Sequence, residues 1–281
     1  MSEDARQQDR SDEGIGVPDR AEPTKPATTI LAQEITTAEQ QLDRPASGLL
    51  LSAISGGLDI GFGPAMMATV LAMAAVPESL GIQLLVAFVY SIGFVIVILG
   101  RSELFTEHTT LAVFPLLSGD TSFARLGRLW GLVFAGNIIG AGLFSLAAAT
   151  VGTGLEIYTS ADLDLLAASL TGYSWAITLG SAVAAGWMMG LVSWLVTAGR
   201  DTIGQIAIIV LVTGAIGLLG LHHSIAGSVE VLLGVFGGTT PWPAFFRFLG
   251  LATLGNAIGG VVFVAAIKFG HVTQPGPTDE D

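Results

Sequence analysis

The sequence lacks cysteine entirely and contains very little lysine. Its 281 residues include no Cys, and only two of the 11 basic residues are lysines, Lys25 and Lys268. A chain without cysteine can form no disulfide, thiolate metal site or cysteine nucleophile. The 23 acidic residues leave a net charge of −12, and the scarcity of basic residues argues against a nucleic-acid-binding protein. An acidic chain poor in lysine also indicates a halophilic source, such as a haloarchaeon.

Charged residues of either sign are scarce as well. They make up 12% of the chain, whereas hydrophobic residues make up 51%, and a soluble domain carries about 25% charged residues. The apolar residues also occur in blocks of about 20 residues, the length that crosses a bilayer as a helix. The composition therefore predicts an all-α membrane protein that spans the lipid bilayer several times.

The chain divides by composition into three regions. Residues 1–45 are rich in Asp, Glu, Gln, Pro and Thr, which predicts a disordered, acidic N-terminal segment in which 35–42 is the candidate for a short surface helix. Residues 46–270 are predicted to form a six-helix transmembrane domain, and 271–281 a short C-terminal tail. The six apolar regions lie near 47–74, 82–117, 128–152, 173–197, 203–236 and 245–269.

The basic residues indicate the orientation of the spans. Those near span ends that would share one side of the membrane are Arg44, Arg125, Arg128, Arg200 and Lys268. The connection over 153–172 carries only acidic charges. Because cytoplasmic loops are enriched in Lys and Arg, both termini are predicted to lie in the cytoplasm of a multi-pass plasma-membrane protein.

An internal repeat divides the transmembrane domain into halves. The segment "GNIIGAGLF" at 136–144 returns 119 residues later as "GNAIGGVVF" at 255–263. The same shift aligns the polar interruption of the second apolar region, 100–110, with that of the fifth, 220–228. Three spans per half predict a 3+3 inverted repeat in which helices 2 and 5 are broken. Paired broken helices indicate a transport site near the membrane midplane, where non-helical backbone must be buried or line a cavity.

At these residues the sequence resembles the formate/nitrite transporter family. The "LFT" at 104–106 resembles the loop that breaks the family's second helix, and "HSIA" at 223–226 resembles its fifth-helix motif. The two Gly-Asn-x-x-Gly segments match its third and sixth helices. The resemblance covers roughly 45–270 and implies an aquaporin-like architecture, one pore in each subunit and a homopentamer. It further implies a channel for small monovalent anions of weak acids, such as formate, nitrite, hydrosulfide or acetate.

The resemblance also implies which residues form the pore. His223 matches the family's central pore histidine, and Thr106 matches the loop threonine that faces it. Tyr90, Phe94 and Ile216 fall on positions that line the inner apolar constriction.

The sequence departs from the family pattern at two places. The better-studied members of the family carry a lysine in the outer vestibule, before helix 4, but no lysine lies between Lys25 and Lys268 here. They also carry an asparagine on helix 4, where this chain has Gly186. Both differences bear on how an anion is attracted and on which one is carried.

The chemistry of a histidine suits such a constriction. A bare anion there loses its hydration at a large free-energy penalty, and a histidine can hold or donate a proton near neutral pH. We expect the anion to gain a proton or a proton-like hydrogen bond at His223 while Thr106 orients it. The expected partners are thus a small anion, a proton, the bilayer and further copies of the chain. No cofactor, metal or enzymatic activity is expected.

Polar residues near the first break are predicted to support the pore. Arg101 is expected to pair with Glu103 or Glu107, since a lone buried charge there could not persist. This cluster, with His108, either holds the loop or relays protons to His223. Asp59 is a partner for Arg101 or a contact between subunits.

Further residues are assigned supporting roles. Asn137 and Asn256 are predicted to hydrogen-bond exposed backbone at the two breaks. His222 points away from His223 if the chain is helical there, which favours a supporting role or a subunit contact. The remaining supporting residues are Leu104, Phe105 and Ser224, and the glycines beside the asparagines (Gly136, Gly140, Gly255 and Gly259) allow close helix approach.

Two other classes of protein fit the sequence less well. A neutral-solute channel of the aquaporin type shares the six-span inverted architecture and is the alternative, although its paired Asn-Pro-Ala motifs do not occur here. An intramembrane serine protease would need Ser224 to face His223, but adjacent helical side chains diverge.

Overall fold

The computed structural model describes residues 24–274, which fold into helices without a strand in that range. In chain order the helices are α1 (Ala27–Asp43), α2 (Ala46–Ile60), α3 (Phe62–Met73), α4 (Leu80–Gly100), α5 (Phe105–Leu111), α6 (Phe114–Ser118), α7 (Phe123–Gly154), α8 (Ser160–Thr171), α9 (Trp175–Ala198), α10 (Thr202–Leu218), α11 (Ala226–Phe236), α12 (Trp242–Ile258) and, after a π-helical segment (Gly259–Ala266), α13 (Ile267–Thr273).

Five helices in this part of the chain are long and apolar enough to cross a membrane. They are Ala46–Met73, Leu80–Gly100, Phe123–Gly154, Trp175–Ala198 and Trp242–Thr273. The fifth apolar region of the sequence, 203–236, instead forms two shorter apolar helices, α10 and α11.

Two breaks interrupt the apolar regions where the sequence predicts them, at 101–104 and 219–225. The first begins at Arg101, whose φ of 58° is left-handed, and the second contains Gly220 with a φ of 60°. A left-handed residue cannot continue a right-handed helix. The helices that resume after the breaks, α5 and α11, are buried along nearly their whole length.

Polar side chains fix where several helices begin. Ser122, Ser174 and Asp201 each accept a hydrogen bond from a backbone amide in the first turn of α7, α9 and α10 respectively. At the start of α8, Thr159 and Asp162 form a reciprocal capping box. Such caps satisfy amides that have no partner within the helix, so the loops before these helices end at defined residues.

Residues 1–45 are predicted to be disordered, but Ala27–Asp43 form the helix α1. The prediction is wrong for this part of the segment. The buried residues of α1 are Ile30, Leu31, Glu34, Ala38 and Leu42, a spacing that gives one apolar stripe. That stripe packs against α5, α6, α7, α9 and α13. The exposed face of α1 is mostly polar. For that reason the composition of the segment did not indicate a helix with an apolar stripe. Residues 1–23 lie outside the described part of the chain, as do 275–281, while 271–273 belong to α13 rather than to a tail.

Glu34 is a buried polar contact that holds α1 against α9. It is 1% exposed, and its carboxylate accepts hydrogen bonds from Ser193 Oγ, at 3.0 Å, and from Thr197 Oγ1. Lys25 Nζ donates to the carbonyl oxygen of Thr197, at 2.6 Å. The N-terminal helix is therefore tied to the C-terminal end of α9.

Glycines allow two helix pairs to cross with their backbones nearly in contact. A Cβ at Gly140 of α7 would lie 2.2 Å from the carbonyl oxygen of Ile54 in α2. A Cβ at Gly259 would lie 2.2 Å from the carbonyl oxygen of Val183 in α9. The glycines beside Asn137 and Asn256 thus serve close packing, the role that small residues play between membrane helices.

A π-helical segment, Gly259–Ala266, interrupts the last long helix. Thr110 Oγ1 donates to the carbonyl oxygen of Gly260, at 3.2 Å. Beyond the segment, Lys268 Nζ lies 5.3 Å from the centre of the Trp194 ring, a cation–π contact. The wider turn thus lies where α5 packs against the last helix.

Replacing Gly140 with alanine tests the backbone crossing. Gly140→Ala should lower the free energy of unfolding by about 1–3 kcal/mol, because the added methyl group overlaps backbone that cannot move without separating α2 from α7. Gly142→Ala, on the same helix but with nothing within 4 Å of the added Cβ, should cause no loss. Thermal unfolding of the two purified variants makes the comparison, and equal unfolding temperatures would contradict this account of the crossing.

The docking of α1 should depend on pH through Glu34. Burial raises the pKa of Glu34 above 4.5, while the hydrogen bonds from Thr197 and Ser193 oppose that rise. The docked helix therefore binds a proton more tightly than the released helix. This stabilisation is complete below pH 4.5 and is lost as the pH rises through the raised pKa, by about tenfold in the docking equilibrium for each unit of pKa difference.

A single introduced thiol can measure that equilibrium. The chain has no cysteine, so Ala38→Cys places one thiol in the buried stripe of α1. Labelling of this thiol should slow as the pH is lowered. Adding Glu34→Gln should abolish this dependence after correction for thiol ionisation, whereas Glu39→Gln, on the exposed face of α1, should retain it. Identical pH profiles with and without the Glu34→Gln substitution would show that Glu34 does not govern docking.

Candidate functional site

The two breaks bring one histidine and one threonine together in the interior. His223 Nε2 lies 2.8 Å from Thr106 Oγ1, and both residues are 0% exposed. Thr106 belongs to the first turn of α5, and His223 lies three residues before the start of α11. These two residues lie 117 positions apart in the chain. Folding nevertheless makes their side chains face each other, as the resemblance implies.

The other ring nitrogen of His223 decides where its proton resides. His223 Nδ1 accepts backbone N–H hydrogen bonds from Ala226, at 3.0 Å, and Ile225, at 3.3 Å. A neutral imidazole carries its hydrogen on the nitrogen that is not an acceptor, so Nε2–H donates to Thr106 Oγ1. The Thr106 hydroxyl hydrogen then remains free to be donated to a solute. Adding a proton at Nδ1 would break both backbone bonds.

Two asparagines hold the breaks with the same set of hydrogen bonds. Asn137 Oδ1 accepts from the backbone N–H of Phe105, at 2.8 Å, and its Nδ2 donates to the carbonyl oxygens of Ala53 and Glu103, each at 2.8 Å. In the second half, Asn256 Oδ1 accepts from the backbone N–H of Ser224, at 2.7 Å. Its Nδ2 donates to the carbonyl oxygens of Ala182 and His222. Each amide therefore satisfies backbone groups that the broken helix leaves without partners.

Aromatic side chains lie on one side of His223. The Phe94 ring packs edge-on against the imidazole with centroids 5.1 Å apart, and Tyr90 packs on Phe94 at 5.2 Å. Tyr90 and Ile216 also line a cavity of about 370 Å³, bounded by α3, α4, α8, the end of α10 and α11. We call it the α8 cavity.

Tyr90 and Ile216, which are predicted to line an inner apolar constriction, both line the α8 cavity. That cavity lies beside the α3–α4 loop, at Pro77 and Glu78, and beside α8. Both residues precede the break in their helix, so they lie on the side of the breaks where α4 begins and where α8 packs.

A smaller cavity of about 40 Å³ is lined by residues of α4, α5 and α9, among them Glu107, Ser193 and Thr197. We call it the α1 cavity, because the α1 residue Glu34 hydrogen-bonds to Ser193 and Thr197 at its wall. Neither cavity has a lysine or arginine among its lining residues.

The ion pair predicted for Arg101 is wrong. Arg101 is exposed and forms no ion pair with the residues over 24–274, whereas Glu103 pairs with Arg44, at 2.5 Å, and with His108. Arg44 lies at the end of α1, where the sequence indicated only membrane orientation.

Asp59 does not pair with Arg101, the first of the two roles predicted for it. Its carboxylate accepts hydrogen bonds from Ser102 Oγ, at 3.0 Å, and Ser55 Oγ, at 3.1 Å. It therefore anchors the first break to α2, without an arginine.

His222 contacts the scaffold and not Thr106. Its Nδ1 lies 2.8 Å from Ser181 Oγ, and its Nε2 lies 3.0 Å from the carbonyl oxygen of Leu170. These contacts tie the second break to α8 and α9. The other supporting residues, Leu104, Phe105 and Ser224, are buried at the two breaks.

Packing explains the glycine at position 186. A Cβ there would lie 2.2 Å from the backbone oxygen of Asn256 and 2.5 Å from its Cα. The contact between α9 and α12 therefore leaves no space for an asparagine side chain on this backbone.

Comparison with known proteins gives the same result as the motifs. The model of the family described as Formate/nitrite transporter matches residues 28–270. The Inner membrane protein YfdC of Escherichia coli (strain K12) is 32% identical over 243 residues, covering 82% of this chain and 73% of YfdC. The Probable formate transporter of Methanothermobacter thermautotrophicus is 28% identical, over 82% of this chain and 90% of that protein.

Solved structures share the fold. An FNT family ion channel superposes with a TM-score of 0.76 at 21% identity, over 88% of this chain and 98% of that one. A structure described as a pentameric formate channel with formate bound gives a TM-score of 0.69, over 82% and 98%. The family match over 28–270 and the identity to YfdC together show that this chain belongs to the formate/nitrite transporter family of multi-pass membrane proteins.

Proposed function

We propose that the chain conducts small monovalent weak acids of the formate, nitrite, hydrosulfide or acetate class through one pore in each subunit of a homopentamer. The observation that carries this proposal is the buried hydrogen bond between His223 and Thr106, at the junction of the two broken helices. The names of the relatives support the class of solute, since one is a probable formate transporter and another structure contains bound formate. The pentameric neighbour supports the assembly.

The proposed domain comprises residues 46–270, with six spans in a 3+3 inverted repeat and both termini in the cytoplasm. The matching hydrogen bonds of Asn137 and Asn256, 119 residues apart, support two equivalent halves. In this arrangement α10 and α11 together form one span, the counterpart of α4 and α5. The α8 cavity then opens to the outside, and α1 lies at the cytoplasmic side.

At the centre of the pore, the substrate would receive a hydrogen bond and not a proton from the histidine. Of the two possibilities raised by the sequence, the geometry supports this one, because Nδ1 of His223 is already an acceptor. Nε2–H polarises the Thr106 hydroxyl, which donates to an oxygen or sulfur atom of the solute. The proton that accompanies the anion would travel on the solute itself.

A channel for neutral solutes is the second candidate. The observation in its favour is that neither cavity is lined by a cation that would attract an anion, while carboxyl groups line both. The two candidates differ in whether the solute is an acid.

Two substitutions at position 223 should separate the roles of its ring nitrogens. His223→Asn keeps an acceptor near Nδ1 but cannot reach Thr106, so formate uptake into proteoliposomes should fall about tenfold, the equivalent of one lost hydrogen bond of about 1.4 kcal/mol. His223→Gln places an amide nitrogen near the position of Nε2 and should retain most of the uptake.

An internal pH dye should report proton entry together with formate in the wild-type protein. If neither formate, nitrite, acetate nor hydrosulfide enters wild-type proteoliposomes faster than protein-free liposomes, while glycerol does, the neutral-solute channel replaces the proposal. Equal acid uptake by wild type and His223→Asn would remove the histidine from the mechanism.

A further inference from the structure

A buried carboxyl group in the α8 cavity has no role in the function described so far. Glu230 lies on α11, seven residues after His223, and is 5% exposed. It lines the α8 cavity together with Tyr90 and Ile216. Within residues 24–274 its carboxyl oxygens form neither a hydrogen bond nor an ion pair.

No cation compensates a charge at Glu230. The other ionisable side chains in the wall of the cavity are Tyr90 of α4 and Glu78, which lies on the exposed rim. The helix α3, which packs against α11, carries no ionisable residue. The charged residues on the other helices packed against α11 are Asp162 and Asp164 of α8, Arg125 and Arg128 of α7, and Arg247 of α12.

The three arginines are engaged at other places. Arg125 pairs with an aspartate at the end of α1, and Arg128 donates to backbone carbonyls there. Arg247 donates to the carbonyl oxygen of Tyr173, at 2.6 Å. Glu230 therefore has no ion-pair partner on any of the helices that pack against it.

A carboxyl group in these surroundings keeps its proton near neutral pH. The ionised form would lose its hydration on burial, and only a cation or several hydrogen-bond donors could offset that penalty. Glu230 has neither. A protonated carboxyl group presents an O–H donor and a carbonyl acceptor side by side, and both groups of Glu230 are without a partner in the described part of the chain.

Most other polar side chains in the wall of the cavity already have partners. The amide of Gln83 and the hydroxyl of Ser169 each donate to a backbone carbonyl, at 2.8 Å and 2.7 Å. The hydroxyl of Tyr90, which is 2% exposed, forms no hydrogen bond within the described range. Inside the rim, Glu230 and Tyr90 are thus the side chains that remain able to bind a solute.

A neutral carboxyl group is complementary to an undissociated carboxylic acid. Each has one O–H and one C=O, so the two can exchange a pair of reciprocal hydrogen bonds. Neither partner is charged, so the pair suits an apolar cavity in which a bare anion would lose its hydration. Nitrous acid has the same arrangement of O–H and double-bonded oxygen, whereas hydrogen sulfide lacks an oxygen acceptor.

We propose that the α8 cavity is a binding site for small undissociated carboxylic acids, in which protonated Glu230 donates one hydrogen bond to the acid's carbonyl oxygen and accepts one from its O–H. The proposal rests on the proposed function and names the substrate class, because the site favours carboxylic acids over hydrogen sulfide. No proton is transferred and no covalent bond changes. From this cavity the acid passes Phe94 to reach Thr106 and His223.

Infrared spectroscopy of the purified protein tests the protonation of Glu230 and its contact with the acid. At pH 7 the wild-type spectrum should contain a C=O stretching band of a neutral carboxyl group that disappears in Glu230→Gln. The control Glu78→Gln, at the exposed rim, should retain that band. Adding formate at pH 5, isotopically labelled so that its own bands are displaced, should move the Glu230 band to lower frequency, because a hydrogen bond weakens the C=O bond.

Uptake kinetics test whether this contact serves transport. Initial formate uptake into proteoliposomes at pH 5 is measured against concentration, and the uptake of protein-free liposomes is subtracted. Glu230→Gln keeps a neutral group with one donor and one acceptor, so its half-saturating concentration should stay within about twofold of wild type. Glu230→Met has similar length but neither group, so this concentration should rise about tenfold, and the change should appear there rather than in the maximal rate.

The outcomes separate this inference from the proposed function. The site is overturned if no neutral-carboxyl band is lost in Glu230→Gln, if formate leaves the band unmoved, or if Glu230→Met has the half-saturating concentration of wild type. Equal weakening in Glu230→Gln and Glu230→Met would also contradict it. A fall in the maximal rate alone would indicate a damaged pore, and the infrared shift then decides. If formate moves the band but the wild type conducts no acid, the binding site stands and the proposed function is wrong.

Discussion

The architecture of the site depends on two side-chain amides that replace missing helical hydrogen bonds. A broken helix inside a membrane protein leaves backbone N–H and C=O groups without partners, and water is not there to satisfy them. Asn137 and Asn256 each bind one donor and one acceptor of a break and one carbonyl of a neighbouring helix. Because both breaks are fixed in this way, Thr106 and His223 can be held at hydrogen-bonding distance although they lie 117 positions apart in the chain.

The same constraint explains the glycines. An amide can bridge from α7 to α2, or from α12 to α9, only when the helix backbones approach closely, and Gly140 and Gly259 permit that approach. Helix packing and hydrogen bonding are therefore coupled. The glycine allows the neighbouring helix to come close, and the asparagine side chain then donates a hydrogen bond to a backbone carbonyl of that helix. Gly186 belongs to the same contact, since its lack of a side chain accommodates the backbone of Asn256.

Features with a local or repeated signal could be predicted from the sequence. The breaks follow from polar interruptions in apolar blocks, and the pairing of Thr106 with His223 follows from motifs that the family shares. Contacts between residues far apart in the chain could not be predicted. The position of Arg44 in the sequence indicates membrane orientation but not its ion pair with Glu103. Glu34 lies among polar residues, which suggested that it would be exposed to solvent. The tautomer of His223 required the position of two backbone amides.

Glu230 illustrates a different limit. A single glutamate within an apolar helix has the same sequence signature whether it is paired, lipid-facing or directed into a cavity. What distinguishes these cases is the set of neighbours that folding brings to it, from α3, α4 and α8. The two cavities thus both have carboxyl groups in their walls, which the motifs alone did not reveal.

The π-helical segment at Gly259–Ala266 determines which side of the following helix, α13, faces its neighbours. Each residue of an α-helix advances the chain by about 100°, and a π-bulge behaves as one inserted residue. If the same residues formed an uninterrupted α-helix, α13 would be turned by roughly a quarter of a revolution. Lys268 would then leave the face of Trp194, and α13 would present a different surface to α1. The irregular turn therefore keeps the two ends of the chain in register with each other.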